Sequence, residues 1–181
     1  NNDIINNSGY YGSNVDYNPN TTLTFDFDDE DILNIFVDDF SMKGEIAFAN
    51  SSGGSLDNKI LNIFVSENSD VRFQTPNVQI ESFNLFLAPN SNLTLIGSTD
   101  TTTDNGLFVY GPDASVGLQS QVTFRGIIIA NTLQGINPNN EAMGSFYYEG
   151  PPNQQALNYI KDQIAEYNKY NIFNWGRETS N

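Results

Sequence analysis

The sequence predicts an all-β protein, a right-handed parallel β-solenoid followed by a C-terminal capping or flanking α-helix. The main observation is a repeat, because the hexapeptide ILNIFV at 32–37 recurs unchanged at 60–65, 28 residues later. These segments and their looser copies are rich in Ile, Val, Phe, Leu and Thr, which suit pleated sheets. Self-similarity with a period of about 20–50 residues is typical of stacked repeats. The crossovers of such a coiled sheet are expected to be right-handed.

The N-terminal segment, 1–21, is rich in Asn, Ser, Gly and Tyr. This composition predicts irregular structure or a linker. A regular pattern begins with LTFDFD at 23–28, where apolar and polar residues alternate with period two, as in a half-buried strand. The solenoid is therefore predicted over 22–150.

Looser copies of the hexapeptide continue the repeat along the chain. They lie at 83–88, 107–110 and 127–130. Each interval holds a second strand-like segment. These segments lie at 44–48, 77–80, 93–96 and 121–124, with turn-forming Gly, Ser, Asn and Pro between them. An antiparallel β-sandwich is the alternative fold, but it gives no reason for a repeated hexapeptide.

The repeat also predicts which side chains line the interior. Most of the inward stack is expected to lie among Ile32, Ile35, Val37, Ile60, Ile63, Val65, Leu85, Leu87 and Val109. Asn34 and Asn62 hold the same place in the two identical hexapeptides. We therefore expect them at equivalent sites in neighbouring turns, where they could form a ladder.

The last segment, 151–181, is predicted to be an amphipathic helix and a closing tail. Asn153 follows two prolines and suits the N-cap of a helix over roughly 153–169. Apolar residues then recur on one helical face. They are Ala156, Leu157, Ile160, Ile164 and Tyr167. Capping or flanking the solenoid is the expected role, since solenoid ends need cover, and partner recognition is the alternative.

Composition excludes several classes of function. Lys and Arg total 7 against 22 Asp and Glu, so the net charge is -15, which disfavours charge-driven binding of nucleic acid or anionic membranes. The absence of His and Cys removes the Ser-His-Asp triad, thiolate nucleophiles and imidazole or thiolate metal ligands. We predict no catalytic residue and no cofactor other than a candidate calcium ion.

That candidate calcium site is an acidic run near the start of the solenoid. Its proposed ligands are Asp26, Asp28, Asp29 and Asp31, because Ca²⁺ prefers oxygen ligands. The EF-hand template does not fit, since Asp31 stands where that loop requires Gly. The alternative is a solvated acidic edge that resists edge-to-edge aggregation.

Aromatic residues crowd the C-terminal third of the chain and are candidates for a partner or surface contact. They are Tyr147, Tyr148, Tyr170 and Trp175. Amphipathic rings are favoured at interfaces. The alternative is that these rings seal the end of the solenoid.

Six stretches together resemble the β-solenoid ectodomain of PilX-like, type IV pilus-associated bacterial surface proteins. They are LTFDFD at 23–28, DILNIFVD at 31–38, FLAPNSNLTL at 86–95, FRGIIIA at 124–130, FYYE at 146–149 and WGRE at 175–178. The third is similar to a family rung that reads Ile-Tyr-Ala-Pro-Asn-Ala-x-Val-Thr-Leu. The resemblance covers roughly 22–178, and its motifs are structural.

The resemblance implies an extracellular domain carried on a pilin-like N-terminal helix that precedes this sequence. Such proteins are minor components of type IV pili that help to prime assembly or lie at the filament tip. The implied partners are other pilin subunits and a host or abiotic surface ligand, with a membrane reached only through the N-terminal helix. A free-standing extracellular module that binds carbohydrate or calcium is the alternative function.

Overall fold

The computed structural model describes residues 2–12, 15–17, 19–74, 78–96, 107–119, 122–136, 144–147 and 161–162. The chain divides into two compact units, Asn1–Gly150 and Pro151–Asn181, and the described strands lie in the first. The strands are β1 (Asn2–Ile5), β2 (Gly9–Tyr10), β3 (Val15–Tyr17), β4 (Thr22–Asp26), β5 (Ile32–Val37), β6 (Phe40–Met42), β7 (Glu45–Ala49), β8 (Ile60–Val65), β9 (Asp70–Gln74), β10 (Ser82–Leu87), β11 (Asn92–Ile96), β12 (Leu107–Gln119), β13 (Val122–Ile136) and β14 (Gly144–Tyr147).

Parallel pairing between successive turns coils these strands into a β-solenoid of about five turns, as the repeat predicted. One face is the ladder β1-β4-β7. A second face runs β2-β5-β8-β10 and continues into the first part of β12 and the middle of β13. The third runs β3-β6-β9-β11 and continues into the remainder of β12 and β13. The right-handed winding stays a prediction.

The identical hexapeptides pair residue for residue. Ile32 lies opposite Ile60, and the parallel register holds through to Val37 opposite Val65. In the next turn Ser82 lies opposite Ile60, so Phe83 faces Leu61. The predicted alignment, which set Phe83 against Ile60, is therefore wrong by one residue. Because the turns differ in length, the repeat spacing does not fix the register, and a loosely matching copy can be aligned one residue out of place without a visible mismatch.

Burial alternates along β5, whereas β8 and β10 also bury side chains on the other side of the strand. Leu33 and Leu61 point inward and are fully buried, whereas Ile32 and Ile60 are half-buried on the other side. The predicted inward position of Ile32 and Ile60 is therefore wrong, because residues three apart in a strand lie on opposite faces. The prediction is confirmed for the other members, Ile35, Val37, Ile63, Val65, Leu85, Leu87 and Val109.

The N-terminal segment differs from the irregular structure expected for 1–21. Strands β1, β2 and β3 pair in parallel with β4, β5 and β6, so this segment supplies a turn of the solenoid. Ile5 joins the core with 4% exposure. Short strands of polar residues form here because the neighbouring turn offers a ready row of backbone donors and acceptors.

The predicted C-terminal helix lies almost entirely outside the described residues. Lys161 and Asp162 are described, and both are helical. The apolar stripe of that helix is not among the described residues. Across the described ranges, no helix is long and apolar enough to cross a membrane.

Candidate functional site

The acidic run is tied into the turn that follows the next strand of the same face. Asp26 Oδ1 accepts hydrogen bonds from the backbone N–H groups of Asp28, at 3.1 Å, and Ser51, at 2.9 Å. The hydroxyl of Ser51 donates to Asp28 Oδ1 across 3.3 Å. The bond from the Ser51 N–H lowers the pKa of Asp26, because it stabilises the carboxylate. These contacts join two turns of the solenoid through Asp26 and Ser51.

Another acid of the run, Asp31, pairs with a buried lysine and not with the Ser51 turn. Lys59 is 7% exposed, and its Nζ lies 3.0 Å from Asp31 Oδ1 and 2.7 Å from the carbonyl oxygen of Glu30. The Asp31 side chain is itself 80% exposed. This ion pair connects the corner before β5 to the corner before β8.

The four predicted calcium ligands are thus not gathered around one point. Asp26 and Asp28 bond to the Ser51 turn, Asp31 pairs with Lys59, and Asp29 is exposed. Among the residues the structure describes, no group of three or more acidic side chains is arranged to hold a metal ion. Calcium binding stays a prediction.

An amide ladder runs along the outward side of the second face. Asn84 Nδ2 donates to Asn62 Oδ1 across 2.9 Å, and Asn62 Nδ2 donates to Asn34 Oδ1 across 2.9 Å. The Ser82 hydroxyl donates to Asn84 Oδ1 at 2.8 Å. The ladder predicted for Asn34 and Asn62 is confirmed, and Asn84 is a third member that the repeat comparison missed. All the amides point the same way, which strengthens each successive bond.

A column of aromatic rings lies beside the amide ladder. Phe36 and Phe64 stack at 4.9 Å between centroids with 15° between planes, and Phe64 and Phe86 stack at 4.9 Å with 13°. In register, the column continues to Tyr110 at one end and to Tyr10 at the other. Phe36 is 46% exposed, whereas Phe86 is 4% exposed. Sequence reasoning missed this column, although the repeated Phe of the hexapeptide signalled it.

At the exposed end of this column, Tyr10 turns toward an acid instead of stacking on Phe36. Its hydroxyl donates to Asp38 Oδ2 across 2.6 Å, and Tyr10 is 64% exposed. The hydroxyl of Ser66 donates to the other oxygen of Asp38. The bond from Ser66, aided by that from Tyr10, lowers the pKa of Asp38, and the bond to Asp38 raises the pKa of Tyr10.

The sequence-predicted aromatic candidates lie elsewhere in the chain. Tyr147 is the last residue of β14, where its backbone lies opposite Arg125 of β13. The predictions for Tyr148, Tyr170 and Trp175 fall outside the described residues. The exposed rings that the structure does place together are Tyr10 and Phe36, both near the N-terminal end of the second face.

Comparisons with known proteins add no relative to this description. No protein-family model, curated protein or solved structure matches the chain. The candidate site therefore rests on its own geometry: rings, amides and the half-buried carboxylate of Asp38 at the end of β5.

Proposed function

We propose that this chain is the ectodomain of a minor, tip-associated type IV pilin that acts in priming pilus assembly, in surface adhesion, or in both. The supporting observation is where two of the stretches that resemble the PilX-like solenoid lie among the strands of this solenoid. The stretch 86–95 covers the end of β10, one turn and most of β11. The stretch 124–130 lies in β13, and Phe146 of the next stretch pairs with Phe124. Stretches that resemble turns of the PilX-like solenoid therefore lie on strands and turns of this solenoid.

In this proposal the work is done by surfaces and not by a catalytic pocket. The chain lacks His and Cys, which are common catalytic residues. Its net charge of -15 disfavours anionic ligands, so its proposed partners are other pilin subunits and an uncharged surface ligand. The proposed location is the bacterial cell surface or the pilus. Attachment to the membrane would pass through a pilin-like helix preceding Asn1.

A second candidate function is a free-standing extracellular module that binds carbohydrate or calcium. The exposure of the adjacent rings of Tyr10 and Phe36 favours its carbohydrate form. The two candidates differ in what lies upstream of Asn1. A hydrophobic pilin-like segment there in the full-length gene would favour the pilin.

The decisive experiment deletes the gene and measures surface pili by electron microscopy and cell attachment to a surface. We expect fewer pili or weaker attachment, with both restored by the wild-type gene. As a matched control, a gene encoding Ile129→Ala should also restore them, since this change trims one exposed side chain. Normal pili and normal attachment in the deletion strain would overturn the pilin assignment.

A further inference from the structure

The two side-chain columns on the outward side of the second face end one turn before the backbone ladder does. The backbone pairing extends to β2, where Gly9 and Tyr10 lie opposite Ile35 and Phe36. In that last turn the ring of Tyr10 is drawn aside to Asp38 instead of stacking on Phe36. The side chains of the first turn therefore do not continue the stacked column.

The amide ladder ends at the same turn. Ser8 precedes β2 and its hydroxyl oxygen accepts the backbone N–H of Asn34 at 2.9 Å, so it bonds to the backbone and not to the side-chain ladder. The ladder runs from Asn84 through Asn62 to the oxygen of Asn34. In the described structure, Asn34 Nδ2 at its end has no protein acceptor, and the residue is only half-buried.

The end of the two columns therefore offers a defined set of groups. Asn34 Nδ2 is a hydrogen-bond donor, and Phe36 lies two residues further along the same outward side, where the strand rise separates the two Cα atoms by about 6.6 Å. Asp38 follows at the end of β5, and its carboxylate keeps lone pairs beyond those used by Tyr10 and Ser66. The hydroxyls of Tyr10 and Ser66 hold the Asp38 carboxylate in place before any ligand binds.

This set selects the chemistry of the ligand. A guanidinium or ammonium group could pair with Asp38 and rest on Phe36, but it has no acceptor for Asn34 Nδ2. An anionic ligand could accept from Asn34, but Asp38 and the net charge of -15 repel it. A sugar hydroxyl both donates and accepts, and the C–H face of a sugar ring can pack on Phe36.

We propose that Asn34, Phe36, Asp38 and Tyr10 form a binding site for a neutral glycan chain that lies along β5 at the N-terminal end of the second face. Within the chain's proposed adhesive role, on which this inference rests for its biological meaning, the site supplies the surface contact. Affinity is expected to be weak for one site and to increase when many copies are presented together.

The test uses the full chain and calorimetric titration with neutral oligosaccharides: cellohexaose, maltohexaose and N-acetylchitohexaose. An alginate oligosaccharide and a hexa-arginine peptide serve as the anionic and cationic comparisons. We expect binding of at least one neutral oligosaccharide with little change on added salt, and no binding of the alginate oligosaccharide. Hexa-arginine should bind only through the net charge of -15, so that its binding is lost on adding salt and is unchanged in Phe36→Ala. The absence of binding by all three neutral oligosaccharides at millimolar concentration would overturn the proposal.

Two variants locate the site, and a third controls for them. Phe36→Ala removes the exposed ring, and Asn34→Asp keeps the oxygen that accepts from Asn62 while replacing the free donor. Each should weaken glycan binding by about tenfold or more. Ile129→Ala alters an exposed apolar residue in the same register column, opposite Tyr110, and should bind as wild type. Unchanged thermal melting of each variant shows that its fold is intact.

The outcomes separate this inference from the pilin assignment. Glycan binding that Phe36→Ala leaves unchanged, or arginine-peptide binding that Phe36→Ala abolishes, would overturn the site as a glycan site. If glycan binding fails while the deletion strain still loses pili, only this inference falls. If the glycan binds at this site but the deletion strain keeps normal pili and attachment, only the pilin assignment falls.

Discussion

Asn62 donates its side-chain amide to Asn34 across 2.9 Å although the two residues are 28 positions apart in the chain. The bond exists because the identical hexapeptides lie in register on adjacent turns. Asn62 also accepts from Asn84, so it is the central link of the ladder. Since Asn62 and Asn84 are fully buried, the ladder satisfies polar groups that would otherwise be costly to bury.

Replacing the central amide should destabilise the fold more than replacing the terminal one. Asn62→Ala leaves the buried Nδ2 of Asn84 without its acceptor, so we expect a loss of about 1–3 kcal/mol in the free energy of unfolding. Asn34→Ala is the control and should cost less, because it breaks one ladder bond and leaves the bond between Asn84 and Asn62 intact, whereas Asn62→Ala breaks two. Urea unfolding measures both. Equal losses would contradict a ladder in which the central amide makes two bonds and the terminal amide makes one.

Gly126 should not tolerate a side chain. It has φ +139°, and a Cβ there would lie 1.9 Å from the carbonyl oxygen of Leu107 on the paired strand. Gly126→Ala should therefore cost about 2–5 kcal/mol or prevent folding, through backbone strain and overpacking. Gly53→Ala is the control: φ is +86° but nothing lies within 4 Å, so about 1 kcal/mol is expected. Thermal melting followed by circular dichroism distinguishes the two, and a variant at Gly126 as stable as wild type would refute this close approach.

The ion pair between Lys59 and Asp31 should respond unequally to loss of either partner. Asp31→Ala leaves a buried ammonium with one fewer partner, and we expect a cost of about 1–3 kcal/mol. Lys59→Met leaves an exposed carboxylate that water can solvate, and keeps the buried apolar stem, so the change should stay within about 1 kcal/mol. Chemical unfolding of both variants checks the order. A larger loss for Lys59→Met would contradict it.

The turn around Asp26 should make the protein sensitive to acid. The Ser51 N–H lowers the pKa of Asp26 in the folded state. A carboxylate with a depressed folded pKa contributes stability above the unfolded pKa, about 3.9, and this contribution is lost as the pH falls further. In Asp26→Asn the melting temperature should therefore fall less steeply below pH 4 than in wild type. Asp29→Asn is the control. Parallel acid limbs for wild type and Asp26→Asn would rule out this source of acid sensitivity.

Removing divalent cations tests the predicted calcium site, because its alternative, a solvated acidic edge, predicts no change in the melting temperature. Asp26 and Asp28 are both bonded to Ser51 and Asp31 is paired with Lys59, so a cation would have to break these bonds to gather the three carboxylates. Differential scanning calorimetry with EDTA and with added calcium measures this directly. A cation that bound at about 100 times its Kd would stabilise the fold by roughly 2.7 kcal/mol, a shift that is easily detected. Such a shift, lost in Asp28→Asn, would establish the calcium site.

The register of the second face, where β5, β8 and β10 pair, illustrates how far sequence reasoning reaches. Identical hexapeptides can pair in register only if the chain coils by 28 residues, so parallel pairing and the Asn34–Asn62 bond were predictable. Where the copies were loose, as at Phe83, the predicted register slipped by one residue. In a strand a slip of one residue exchanges the inward and outward sides, so the identical hexapeptides predict the stacking of Phe36 on Phe64 but not the addition of Phe86.

The sequence by itself determined the parallel coiled sheet, because repeated apolar residues of period two stack best on copies of themselves. Only the tertiary structure decided that the Asn- and Ser-rich N-terminal segment adds a turn, since its strands are held by the backbone groups of the next turn and carry no repeat. It alone also placed Tyr10 on Asp38, 28 residues away, and so left Phe36 exposed at the end of its column. Such contacts depend on turn lengths and side-chain directions, which local pattern does not encode.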